Sequence, residues 1–187
     1  MGTVDGTHAK FVRNHGELIA AENHRLAGQG IYPVAGTGAL VEKVSPIARS
    51  TDVPWTPMAK PLTACRITLI TTGGLHLRTD QPFNMDDPKG DPTFRVIPAD
   101  AQPADLTITH NYYNHADADR DFNILLPLDR IKELTQGGYL GGLTPSHYSF
   151  MGHIDGPHVA TLKSEILPML LANIRSERPD FVILTPA

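Results

Sequence analysis

The stretch CRITLITTGG, residues 65–74, decides the fold. Ile67 to Ile70 form a mostly apolar run that Gly73-Gly74 breaks, and such a run reads as a strand buried on both faces. Working outward, DLTITH (105–110) reads as a second strand and FNILLP (122–127) as a third or the start of a crossover. HYSFMG (147–152) is a further short strand, and FVILTP (181–186) a final one with the apolar character of a sheet centre. Between them, LDRIKELTQGG (128–138) places Leu128, Ile131 and Leu134 on one helical face before Gly137-Gly138 stops it. In 156–180, Val159, Leu162, Ile166, Leu170 and Ile174 recur at helical spacing, with Pro168 inside the pattern. A proline costs about 3 kcal/mol in mid-helix. The segment is therefore expected as two helices, with Pro168 in the first turn of the second, where a missing N–H costs nothing. Apolar strands alternating with helices predict an α/β fold. The expected form is a mostly parallel sheet flanked by helices, in a Rossmann-like or flavodoxin-like three-layer arrangement.

Ahead of this body, residues 1–53 read as an N-terminal arm. Phe11, Leu18, Ile19 and Leu26 fall at near-helical spacing until Gly28, Gly30 and Pro33 end the pattern, and 34–53 is irregular. The arm has too few large apolar residues for its own core, so it is expected to pack on the body, 54–187, or on a partner. With 16 Lys plus Arg against 20 Asp plus Glu and a net charge of −4, no basic surface suits nucleic acid. No apolar stretch approaches the roughly 18 residues that span a bilayer, and the N-terminus has no secretory segment. One cysteine makes no internal disulfide, which fits the cytoplasm.

In parallel sheets of this kind ligands sit at the carboxyl ends of the strands. Those ends carry TTGGLH (71–76), THNYYNHADAD (109–119) and TPA (185–187). The Gly73-Gly74 turn either presents backbone N–H groups to an anion or simply turns the chain. No G-x-G-x-x-G fingerprint supports a dinucleotide. His76 and His110 are the candidate catalytic residues, as acid–base groups or holders of a carboxylate; the alternative is a pair of hydrogen-bonded loop histidines. Asp117, Asp119 and Asp121 with His115 have the look of a metal cluster, yet such runs are more often solvated turns and caps. His147, His153, Asp155 and His158 match no zinc spacing, and no metal is assigned. Cys65 begins a strand at the end opposite the expected site, as a buried structural thiol does.

As a set, PWTPMAKPL (54–62), ITLITTGGLHL (67–77), GDPTFRVIP (90–98), DRDFNILLPLDRIKEL (119–134), GGLTPSHYSFMG (141–152) and DFVILTP (180–186) resemble selenoprotein B of glycine, sarcosine and betaine reductase and of D-proline reductase. The resemblance covers about residues 54–187 and departs at Asn114, where the family often has Asp. It implies reductive cleavage of a C–N bond next to a carboxylate, in a small amino acid or betaine. A selenolate or thiolate attacks the α-carbon, a pyruvoyl group on a partner subunit can activate the amine, and dithiols restore the selenol. Other reductase subunits and an oligomeric state follow from the same resemblance. In the family the redox selenocysteine or cysteine comes directly after the strand matching FVILTPA, so a selenocysteine is expected just after Ala187 and no cofactor within this chain. Thr72, Gly73, Gly74, Arg95, Asp117, Asp121 and Thr185 are the expected substrate-binding residues, with Arg95 a bidentate carboxylate clamp or, equally, half of a surface salt bridge. The alternatives are a non-catalytic binding or scaffold subunit, and a redox-free, racemase-like α/β enzyme using His76 or His110.

Overall fold

A computed structural model describes residues 57–187, of which Met58–Ala187 form a compact unit. The arm read over 1–53 lies outside the described residues. The predicted α/β class is what the chain adopts. The strand read from 65–74 is β1 (Arg66–Thr71), and it lies between neighbours on both edges. On one edge runs β7 (Phe181–Thr185), parallel and in continuous register from Ile67↔Phe181 to Thr71↔Thr185. On the other lie β5 (Gly142–Leu143), beside the start of β1, and β6 (Ser146–Phe150), beside its end, both parallel. Beyond β6, β3 (Phe94–Pro98) pairs antiparallel and makes the sheet mixed but mostly parallel.

Helices cover both faces. Against one face packs α1 (Leu128–Gln136), whose Leu128 and Ile131 join Ile67, Leu69 and Ile97. Against the other packs a helical segment whose Ile166 and Leu170 meet Tyr148, Phe150 and Phe94. That segment comprises α2 (Pro157–Thr161), a π-turn (Leu162–Ile166) and α3 (Leu167–Glu177). Pro168 stands in the first turn of α3, as expected, but the chain widens into a π-turn instead of breaking. The Leu167 N–H there reaches back five residues to Leu162 O, so the ladder is re-spaced where Pro168 has no N–H to give.

Three sequence expectations are corrected. FNILLP is not a strand but, as the other reading had it, the start of a crossover: Phe122–Ile124 is a 3-10 turn, capped by the Asp121 side chain, that leads into α1. DLTITH does pair, but outside the main sheet, as β4 (Leu106–Ile108) antiparallel to β2 (Leu75–Leu77), a strand too short to show a period. FVILT is not at the sheet centre. Among the described residues it borders the sheet, with Leu184 70% exposed, because alternate side chains of β7 face a surface that no described element covers.

The β1–β6 edge contains a gap that a side chain fills. From Ile67 to Ile70 is three steps along β1, while Leu143 to Tyr148 on the partner is five, so two extra residues bulge out. Within the bulge Thr144 N–H still reaches Ile67 O at 2.9 Å, and the Thr68 and Thr144 hydroxyls share a hydrogen bond of 2.7 Å. Leu69 N–H donates to His147 Nδ1 at 3.0 Å, so a fully buried imidazole stands in for a backbone carbonyl. An accepting Nδ1 puts the ring proton on Nε2, and burial holds the pKa of His147 down to about 4, with Lys132 adding to the effect.

The stability of the domain is expected to fall as pH drops from about 6.5 towards 4, because the unfolded His147 takes up a proton that the folded one refuses. His147→Ala leaves the Leu69 N–H and a cavity behind and should cost about 2–4 kcal/mol in urea unfolding at pH 7. The variant should also show a flatter stability profile over that acid range.

Candidate functional site

The parallel register of β1, β6 and β7 brings their carboxyl ends to one rim. Thr72 N–H donates to Thr185 O at 3.2 Å, and Ala187 N–H to the Thr72 hydroxyl at 3.1 Å. Gly74 N–H donates to Phe150 O at 2.9 Å, and its own carbonyl accepts from Thr109 N–H at 2.9 Å. The antiparallel β2–β4 pair is thereby folded back over the rim, and it carries His110 with it. Gly74 (φ +69) makes this approach possible, since a Cβ there would stand 2.5 Å from Thr109 O. Gly152 (φ +97), just past β6, lies so close to Thr72 O that a Cβ would be 2.6 Å away. The segments 71–76, 109–113 and 185–187 therefore do meet, joined by Gly152 and His153, which sequence reasoning had considered only as a metal ligand. The signal available for them was their place directly after a strand, in HYSFMGH.

His110 is held on all sides. Tyr112 N–H donates to its Nδ1 at 3.1 Å, and the rings of Tyr113 and Tyr112 stand nearly perpendicular to it, with centroids 4.6 and 5.5 Å away. Tyr112 in turn packs against His153 at 4.9 Å, and the Tyr113 hydroxyl donates to Gly73 O at 2.9 Å. Burial holds the pKa of His110 down to about 4, helped by the imidazoles of His115 and His153. Burial also lifts the Tyr113 phenol to about 12, with Asp119 adding to the shift, so both side chains are uncharged at neutral pH.

Other expected site residues are occupied by the fold. His76 is buried within β2; its Nδ1–H donates to Leu77 O at 2.7 Å and its Nε2 meets the Thr109 hydroxyl at 2.8 Å. The N–H groups of the glycine turn face inward, Gly73 to the Thr71 hydroxyl and Gly74 to Phe150 O, which leaves neither for an anion. Arg95 is a staple for the loop before β3. It donates to Gln81 O, Pro82 O, Phe94 O and the Thr93 hydroxyl, sits 3.7 Å from Asp91 and stacks over Phe83 at 4.4 Å. With its fork spent this way it has no bidentate face for a substrate carboxylate. Asp117 is exposed and paired with Arg120, and Asp121 caps the 3-10 turn, accepting from Asn123, which holds its pKa below the usual range. Thr185 ends β7 at the rim, with its hydroxyl on Ile70 O. Cys65 is buried at the far end of β1. Among the described residues no three His, Cys, Asp or Glu side chains cluster as a metal site would need.

Residues 39–187 match the family described as glycine/sarcosine/betaine reductase selenoprotein B. The chain belongs to that family. It is also 34% identical over 131 residues to the D-proline reductase subunit gamma of Acetoanaerobium sticklandii, a stretch covering 70% of this chain and 52% of that protein. The chain thus spans about half the length of the curated relative it matches. No solved structure matches it significantly. Within this selenoprotein B-family chain the family match begins at residue 39, inside the segment read from sequence as an arm.

Replacing Arg95 by Ala is expected to act first on stability, since it strands four acceptors and uncovers Phe83. A loss of about 2–4 kcal/mol in denaturant unfolding and faster proteolysis within 80–93 should accompany any drop in ligand affinity. A folded, fully stable Arg95→Ala protein with impaired carboxylate binding would instead restore the clamp.

Proposed function

We propose that this chain builds the substrate-binding part of a selenoprotein B-type reductase that cleaves a C–N bond next to a carboxylate, in a small amino acid or betaine. The observation that carries this reading is the convergence of Thr72, His110, Gly152 and Thr185 at the carboxyl rim of a parallel sheet, in a chain of this family. In this reading a selenolate or thiolate supplies the attack on the α-carbon, and the amine departs with the C–N electron pair and takes up a proton. A thiol of a dithiol then takes the selenium or sulfur from the α-carbon, which keeps that bond's electron pair and takes up a proton, and the second thiol closes the disulfide and releases the nucleophile. The only cysteine of the sequence is Cys65, buried at the opposite end of β1, so the nucleophile must come from outside these 187 residues. The position just after β7 would deliver it beside Thr72 and Thr185. A pyruvoyl group on a partner subunit would serve the amine, and the named relative, itself a reductase subunit, supports an assembly with other subunits; a cytoplasmic setting belongs to the same proposal. No helix among the described residues is long and apolar enough to cross a membrane.

The geometry of His76 speaks against the redox-free alternative built on it, because both of its nitrogens are engaged within the buried β2–β4 pair. The test is reconstitution of the full reductase with a dithiol, assayed for amine release or ring opening from glycine, sarcosine, betaine and D-proline. Dithiol-dependent cleavage of one of these is expected, with none from the 187-residue chain alone. Dithiol-independent turnover by that chain, abolished by His76→Ala, would overturn the reading in favour of proton-transfer chemistry. Binding without turnover in the full assembly would leave a scaffold subunit.

A further inference from the structure

We propose that His110 binds the carboxylate of the substrate through its Nε2–H, as an imidazole whose tautomer the fold fixes; that the carboxylate belongs to a substrate rests on the reductase reading above. The tautomer follows from one contact. Tyr112 N–H points at Nδ1 from 3.1 Å, so Nδ1 is an acceptor and the neutral ring carries its proton on Nε2. Tyr112 and Tyr113, standing at 83° and 71° to the imidazole, fix its plane, and the Tyr113 hydroxyl anchors that wall to Gly73 O. The free nitrogen faces Gly152, where the position of an absent Cβ is 3.6 Å from Nε2, and that space stays open because only glycine suits the left-handed backbone there.

Although His110 is only 7% exposed, no acceptor among the described residues meets its Nε2–H. Among the described residues the buried side-chain nitrogen left without a partner is Nε2 of His147, so Nε2 of His110 is open to solvent at the rim and therefore to a ligand. The titratable groups acting on it are the side chains of His115 and His153, and no carboxylate is among them. The nearby Asp119 is bound to His115 Nδ1 at 2.7 Å. A fixed donor whose own titratable neighbours are imidazoles, with Asp119 engaged by His115, selects an anionic acceptor over an ammonium group. Burial keeps the ring uncharged well below neutral pH, so His110 donates a hydrogen bond and does not serve as a base.

The probe is acetate, titrated into the full chain labelled with 15N at histidine and followed by long-range proton–nitrogen spectra. His110 should show the Nε2–H form throughout about pH 5 to 8, and acetate should shift that signal without moving His147. His110→Ala should weaken acetate binding about ten- to a hundred-fold, while His110→Gln, which keeps an N–H near the same place, should retain most of it. An Nδ1–H tautomer, a His110 that titrates between about pH 6 and 7, or acetate binding indifferent to His110→Ala would overturn the proposal. Acetate binding needs no redox partner. A failed reductase assay alongside intact acetate binding at His110 would sink the reductase reading alone.

Discussion

Everything in this domain hangs from the backbone of β1, which must satisfy its hydrogen bonds on both edges while buried. Continuous pairing with β7 does this on one side. On the other, β5 and β6 reach it only at its two ends, and the Leu69 N–H between them would be stranded in the core without His147. A buried amide left unpaired costs as much as a lost hydrogen bond. That requirement ties the imidazole of His147 to its place and keeps it uncharged. The bulge also sets the register at which β6 leaves the sheet, and hence where Gly152 arrives.

The rim is assembled by close backbone approach more than by long side chains. Gly74 and Gly152 bring their backbones within contact of Thr109 and Thr72, at distances where any Cβ would collide with a carbonyl. The consequence is chemical as well as steric. The backbone N–H groups of Thr72, Gly73, Gly74 and Ala187 are consumed in holding the rim together, so recognition of a ligand there draws on side chains, and the pinned His110 offers its Nε2–H.

Parts of this were legible in the sequence for reasons that are local. The apolar run from Ile67 to Ile70 has to be buried, and the helical spacing of Leu128 and Ile131 survives in α1. Pro168 has no N–H wherever it stands, so its place in a first turn was readable, though the π-turn before it was not. The short strands β2 and β3 escaped notice because three to five residues carry little period, and their pairing is decided by partners far along the chain. Arg95 shows the same limit at the site: an arginine beside a candidate rim suits a carboxylate clamp, and only the fold shows that loop carbonyls occupy it.

By itself, then, the sequence determined the class of fold, the ends of the strands where chemistry collects, and through its assembled motifs the family. These depend on apolar periodicity, on residues with unusual backbones and on ordered short patterns, all properties of neighbouring residues. Tertiary structure alone decided which histidine is locked in a ladder, which is satisfied in the β2–β4 pair and which turns a nitrogen to the rim. A side chain's protonation and hydrogen-bonding capacity are set by what surrounds it in space. For His76, His110 and His147 those surroundings come from segments as far as 78 residues away.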